Sequence, residues 1–294
     1  MRRLRAATRS SPLARWQASH VASLLQAADP EVSVELVLLD TQGDRRLDLP
    51  IWELGGKGVF AKEVQAAVLD RRADFAVHSA KDLPSGTIPG LVIGAVPERG
   101  DPRDALVGAR LADLPDGAEV ATGSLRRRVE LLRHRPDLRF VSLRGNMKTR
   151  IAKAADHDAA VVAAVALERI GLGAHIAERL STDVMLPQVA QGALAVECRA
   201  DDADLRGLLL HVEDAPSRRC VDAERAFLAG LGGDCSLAAG AHAVIGDDSL
   251  HLRGFLASPD GRTMLRHEQS GPDASIGSAL ARHLLDAGGS ALLP

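Results

Sequence analysis

The sequence contains no tyrosine, and its aromatic content is 2%. With so few rings there are few platforms on which bases could stack, which counts against single-stranded nucleic acid as a partner. The formal net charge of -3 likewise gives no general pull toward nucleic acid or an anionic membrane. Lysine is scarce: Lys57, Lys62, Lys81, Lys148 and Lys153 are the only ones, so nearly all positive charge is arginine. The cysteines (Cys198, Cys220, Cys235) are odd in number and form no CxxC pair, which argues against a disulfide framework or a metal site. No apolar run reaches membrane-spanning length. The basic start "MRRLRAATRSS" leads into no hydrophobic stretch of the signal-peptide kind, so a cytoplasmic location is expected. What remains is ordinary: 294 residues, 46% hydrophobic and 26% charged, suit a globular chain of two or three domains.

The first two-thirds alternate strand and helix signals. "RAAT" reads as a strand, and "SPLARWQASHVASLLQ" as a helix capped by Ser11 with Pro12 at its first position. "VSVELVLLD" alternates as a strand does, "AKEVQAAVLDRR" is helical, and "DFAVHS" and "LVIGAV" are strands. The pattern then restarts with "EVAT", the helix "SLRRRVELLRH", the strand "RFVSL", the helix "KTRIAKAADH" and the strand "DAAVVAAVAL". Strands separated by helices imply parallel sheet, with ligands at the strand carboxyl ends. The last eighty or so residues differ: one helix, the loop "GGDCS", three strands separated by the turn signals "DDS" and "PDG", and a final helix. That is a separate α+β unit with an antiparallel meander.

Charge collects where strands end. "ATRSS" and "ATGS" both close a strand with small hydroxyl residues and open a helix, so two α/β lobes would each present a helix N-terminus to an anion. In "TGSLRRR", Ser124 caps a helix that starts with Arg126, Arg127 and Arg128, although a helix start favours acidic residues. "SLRGNMKTR" gathers Arg144, Lys148 and Arg150 around a second such turn, and Arg9 sits at a third strand end. A solvated charged face is the bland explanation. Cations at three strand carboxyl ends favour instead a ligand with several carboxylates or phosphates. "GGKG" lacks the GxxxxGK[ST] spacing of a phosphate loop and, with "TQGDRRLDLPIWE" before it, reads as a mobile loop able to cover a cleft. In "HSAKDLPSG", Asp82 beside Lys81 is either a turn residue or a general acid or stabiliser of a developing cation; His78 reads as strand end. Cys198 and Cys220 read as buried, and Cys235, flanked by glycines, as an exposed reactive thiol.

Taken together, "ATRSSPLARWQA", "GGKGVFAKEV", "FAVHSAKDLP", "GSLRRR", "LRGNMKTR", "LPQVAQGALAVECR" and "ERAFLAGLGGDCS" resemble, in order and spacing, the porphobilinogen deaminase (hydroxymethylbilane synthase) family over essentially the whole length. The resemblance implies an α/β fold of two lobes like type II periplasmic binding proteins joined by a hinge, plus a small α+β C-terminal domain with a three-stranded antiparallel sheet. The implied domains are 1–98 with 190–212, 99–189, and 213–294. The implied reaction joins four porphobilinogen molecules head to tail into hydroxymethylbilane, releasing ammonia, on a dipyrromethane primer held by Cys235 through a thioether. The resemblance places Lys81, Asp82, Thr122, Ser124, Arg126, Arg127, Arg144 and Arg150 on the cofactor. Arg9, Ser11, Phe60 and Arg169, together with Arg144 and Arg150, take the substrate. Asp82 would stabilise the azafulvenium left when ammonia departs, with Lys81 as its catalytic neighbour. A monomer is implied, with no metal, nucleic acid or membrane as partner.

Arginines at a helix start become favourable once a polycarboxylate lies against them, so the cofactor-free form is expected to be less stable. The chain departs from the family pattern at Asp234, at Ala238 where a proline is common, and at Lys148. Asp234 beside the thiol is expected to raise its pKa. A non-catalytic clamshell that binds a polycarboxylate or phosphate would explain the arginines equally well, but it leaves Cys235 and Asp82 without a role.

Overall fold

Ser11 and Pro12 begin the first helix as their chemistry dictates. The Ser11 hydroxyl accepts from the backbone N–H of Ala14 at 3.3 Å, and Pro12 opens α1 (Pro12–Ala28), where its missing N–H is no loss. In this computed structural model, which describes residues 2–41, 58, 60–86, 88–233, 237–247 and 249–293, the chain divides into two compact units. One comprises residues 1–100 and 193–218, the other residues 101–192 and 219–294.

The first unit is built on β1 (Arg2–Arg9), β2 (Val32–Leu39), β3 (Phe75–Ser79), β4 (Leu91–Ala95) and β10 (Leu194–Arg199), in the order β2-β1-β3-β10-β4. β1 runs parallel to β2 and β3, while β10 runs antiparallel to β3 and β4. α1 lays Val21 and Leu25 on one face against Leu4, Phe75 and Val196. α2 (Lys62–Leu69) covers the other face with Val64 and Val68 against Ala7 and Ala76. Burying each such Val, Leu or Phe contributes about 1.5–3 kcal/mol.

The second unit repeats that topology. Its strands are β5 (Asp104–Val107), β6 (Glu119–Ala121), β7 (Arg139–Val141), β8 (Ala159–Ala163) and β9 (Ile176–Arg179), in the order β7-β6-β8-β5-β9. β6 is parallel to β7 and β8, and β5 is antiparallel to β8 and β9. The expectation of parallel sheet holds for four strands of each sheet and is corrected for the fifth, for one reason in both units. β5 and β10 are each the first strand after the chain passes from one unit to the other, so no crossover helix fixes their direction. A second correction concerns "DAAVVAAVAL". The strand stops at Ala163 and α5 (Ala164–Glu168) follows, because an alanine-valine run carries no period that separates the two states.

The same unit holds α3 (Leu125–His134), α4 (Met147–Ala154), most of α7 (Ala215–Gly230), and the antiparallel meander β11 (Ala239–Gly246), β12 (Ser249–Ala257) and β13 (Met264–Gly271), followed by α8 (Ser275–Asp286). Buried carboxylates fasten these parts. Glu224 of α7, fully buried, accepts from the backbone N–H of Ala190 at 2.6 Å and of Ala243 at 2.8 Å. Glu130 of α3, also fully buried, accepts from Arg266 of β13 at 2.9 Å. α8 approaches α7 so closely that a Cβ on Gly277 would lie 2.1 Å from the Ala223 carbonyl oxygen and 2.6 Å from the Phe227 nitrogen. Gly277→Ala is therefore expected to destabilise the protein by about 1–3 kcal/mol in urea unfolding. Gly207→Ala, in α6 (Ala203–Leu209) with nothing within 4 Å of the new methyl, should instead stabilise by about 0.5–1 kcal/mol.

Candidate functional site

In the first unit, β1 and β3 are parallel, so their carboxyl ends open on the same side of the sheet. Arg9 ends β1, and its guanidinium carbon lies 4.3 Å from the centre of the Phe60 ring, a cation–π contact that holds the cation in place. β3 ends at Ser79 and turns through a single 3₁₀ turn, Ala80–Asp82, which sets Lys81 and Asp82 just beyond the strand. Ser79 accepts from the Gln17 amide of α1 at 2.8 Å. Arg9, Phe60 and Asp82 line one narrow cavity with Gln17, His78 and Ser79. Ser11 stands at the same end of the sheet, with its hydroxyl on the cap of α1.

In the second unit, parallel β6, β7 and β8 likewise point their carboxyl ends one way. Ser124 caps α3, accepting from the Arg127 N–H at 3.4 Å, and its own N–H donates to Thr122 Oγ1 at 3.2 Å. Arg126 and Arg127 are not solvated: they are 3% and 6% exposed, around a fully buried Asp104 at the start of β5. Arg126 Nη2 donates to Asp104 Oδ2 at 2.7 Å and Arg127 Nε to Oδ1 at 2.9 Å. Their other arms reach the Leu186 and Val161 carbonyls at 2.6 and 3.0 Å, and Gln191 adds a donor to Asp104 at 3.0 Å. Burial alone would raise the Asp104 carboxyl, but the two guanidiniums outweigh it and hold the pKa at about 2. Burial lowers that of Arg127. The two arginines thus carry one more charge than Asp104 neutralises, and Arg126 Nε is buried without a hydrogen-bond partner among the described residues.

Past β7, Gly145 takes φ +116° and Asn146 caps α4, accepting from Thr149 N at 3.0 Å. Arg150 Nε donates to the Gly145 carbonyl at 2.8 Å, which anchors the guanidinium beside Arg144 in the same turn. Past β8, Arg169 follows α5 and donates to the Gly192 carbonyl at 2.7 Å; burial lowers its pKa to about 10. The structure therefore gathers Arg9, Phe60 and Asp82 in one cavity, and sets Thr122, Ser124, Arg126, Arg127, Arg144, Arg150 and Arg169 along the carboxyl edge of one sheet. Cys235 and the loop containing "GGKG" through Lys57 lie outside the described residues.

Sequence reasoning missed Asp104, Gln191 and the cavity face of His78. "DPRDAL" offers its Asp next to Arg103, and only the sheet order brings it to Arg126. Local bonding in the rest of that segment is ordinary, as in the Arg103–Asp101 pair at 2.7 Å.

Two family models match the chain. Residues 4–207 match "Porphobilinogen deaminase, dipyromethane cofactor binding domain", and residues 218–286 match "Porphobilinogen deaminase, C-terminal domain". Among curated proteins, the porphobilinogen deaminase of Nitratidesulfovibrio vulgaris is 47% identical over 97% of this chain and 92% of its own length. That of Roseiflexus castenholzii is 47% identical over 97% of each chain, and that of Brevibacillus brevis 44% over 97% and 95%. Among solved structures, the periplasmic aliphatic sulphonate binding protein SsuA of Escherichia coli is similar at TM-score 0.40 and 17% identity, over 77% of this chain and 70% of that one.

Asp104→Asn should destabilise the protein at neutral pH by about 3–5 kcal/mol, since it leaves two buried guanidiniums without their counter-charge. The pH dependence has a definite sign. Asp104's folded pKa is depressed, so its stabilisation is complete above the ordinary value of 3.8 and is lost as pH falls toward about 2. Urea unfolding of the wild type between pH 5 and pH 2 should show that loss, on the order of 2 kcal/mol, and Asp104→Asn should lack it. Equal stability of the two proteins at pH 7 would show that the triad anchors nothing.

Proposed function

The chain belongs to the porphobilinogen deaminase family, and we propose that it joins four porphobilinogen molecules into hydroxymethylbilane, releasing ammonia, through the residues gathered at its strand ends. The observation that carries this is the match of both family models, in order, across 4–207 and 218–286. The donor chemistry fits. Each pyrrole brings an acetate and a propionate, and the second unit sets an excess of guanidinium along one sheet edge, with Arg126 Nε buried and unpaired among the described residues. A dipyrromethane tethered by a thioether to Cys235 would supply a nucleophilic pyrrole carbon as the primer. Thr122, Ser124, Arg126, Arg127, Arg144 and Arg150 would hold its carboxylates, and those of each added ring, by charge-assisted bonds. We propose the domains as 1–98 with 190–212, 99–189, and 213–294; the compact unit of residues 1–100 and 193–218 supports the first.

Porphobilinogen would bind with its carboxylates on Arg9, Ser11 and Arg169. Cation–π contact fixes the Arg9 guanidinium against Phe60 at 4.3 Å, so little side-chain entropy is left to lose on binding. Departure of ammonia leaves a cation shared with the pyrrole N–H. Asp82, lining the same cavity, would accept from that N–H and stabilise the cation, with Lys81 on a neighbouring carboxylate. Phe60 contributes an apolar wall that keeps water from the electrophile. No helix of the described residues is long and apolar enough to cross a membrane. We propose a cytoplasmic monomer acting on a small-molecule substrate.

Intact denatured mass tests the attachment. Wild-type protein should carry the added mass of two deaminated porphobilinogen units, and Cys235→Ser should carry none. Bare polypeptide mass in the wild type after incubation with porphobilinogen would overturn the assignment. Asp82→Asn should keep the added mass while kcat falls about 10²–10³-fold; a kcat within threefold of wild type would remove Asp82 from the chemistry.

A further inference from the structure

Behind Asp82, the cavity wall contains a buried ionisable pair for which the roles above have no use. β3 and β10 are antiparallel, with His78 opposite Ala195 and Ala76 opposite Glu197. His78 and Glu197 therefore share one sheet face, a diagonal step apart. Both side chains are 5% exposed, and His78 Nε2 lies 3.1 Å from Glu197 Oε2. The contact has ion-pair distance but is bent away from a straight hydrogen bond, as catalytic contacts often are before substrate binds. Gln65 of α2 donates to the same Oε2 at 2.8 Å, so the carboxylate is held from the opposite side. When Nε2 carries the hydrogen toward the carboxylate, the neutral ring keeps a lone pair on Nδ1. His78 lines the cavity with Arg9, Phe60, Gln17, Ser79 and Asp82. An apolar pair of similar volume would pack there without the desolvation cost of a buried His–Glu contact.

We propose that His78 is the proton carrier of the condensation, with Glu197 as the residue that positions it; the proposal rests on the deaminase reaction above. The substrate's aminomethyl C–N bond breaks with its electron pair on nitrogen. The free α-position of the terminal pyrrole forms the new C–C bond and must then lose a proton to regain aromaticity. His78 Nδ1 takes that proton, and Glu197 stabilises the resulting imidazolium as the acid of a catalytic triad does. Because the aminomethyl group enters as its ammonium form, it is released as ammonia; the ring then passes the α-proton to that ammonia, which ends as ammonium, and each cycle returns His78 to its neutral form.

The test is made on cofactor-bearing protein, with activity counted per molecule of two-pyrrole mass. His78→Gln keeps a donor toward Glu197 and removes the base. Its kcat is expected to fall about 10²–10⁴-fold with KM within threefold of wild type, and imidazole should restore turnover to His78→Ala in a dose-dependent way. A His78→Gln kcat within threefold of wild type, or a large kcat loss in His78→Ala that imidazole leaves unchanged, would overturn the proposal. Should the His78 variants fail to fold or to carry cofactor, Glu197→Gln decides. A kcat loss of tenfold or more at unchanged KM supports the relay, and unchanged kcat rejects it. Failure of the wild type itself to release ammonia from porphobilinogen would remove the deaminase assignment and the proposal together. An active wild type with a fully active His78→Gln removes only the proposal.

Discussion

The Asp104 carboxylate organises the second unit. It sits at the first residue of the antiparallel strand, fully buried, and takes donors from two arginines of α3 and from Gln191. Without it, the start of α3 would set two guanidiniums against a helix N-terminus that already carries partial positive charge. With it, each guanidinium has a fixed orientation and a second arm on a backbone carbonyl. The pair carries one charge more than Asp104 neutralises. A buried carboxylate thereby turns an unfavourable helix start into a rigid cationic surface, which suits recognition of a polycarboxylate better than flexible surface lysines would.

The first unit meets the same topological condition by different chemistry. Both sheets place four mutually parallel strands and one antiparallel strand in equivalent order. Where the second unit starts its antiparallel strand with Asp104, the first carries Glu197 within β10, opposite Ala76. One carboxylate steadies arginines, the other a histidine. The difference fits the two proposed roles. Holding product carboxylates requires permanent positive charge, and proton transfer requires a group that changes charge near neutral pH.

Much of this was legible in the sequence, and the limits have a physical cause. Ser11–Pro12, Ser124 and Asn146 announce helix starts because capping is local chemistry between residues three apart. "DDS" and "PDG" announce the C-terminal meander because turn geometry is local as well. The cations at strand ends were visible for the same reason, as was the restart of the strand–helix pattern. Strand direction was not: nothing in "DALV" or "LAVECR" marks either as antiparallel, since that is decided by where the chain re-enters each unit. The counter-charge of Arg126 lies 22 residues away and Gln65 reaches Glu197 across 132, separations that no spacing rule spans. His78 read as strand end, and it is one; its cavity face appears only when α2 and β10 are in place.

The scarcity of aromatic residues bears on how such distant segments are held. A chain with 2% aromatics has few large rings to wedge between elements, and its cores are mainly aliphatic and alanine-rich. Aliphatic packing is strong but weakly directional. Direction comes instead from buried carboxylates that accept from backbone N–H groups of remote segments. Glu224 takes Ala190 and Ala243, Glu130 takes Leu186, and Glu213 takes Val96 at 2.6 Å. Each fixes a register that an aliphatic contact would leave free to slide, and each must be fully satisfied to justify its desolvation. The site is built on the same device. Asp104 and Glu197 are structural carboxylates of this kind whose partners stand at the proposed ligand sites, so the proposed chemistry would fall to side chains that the fold already had reason to hold still.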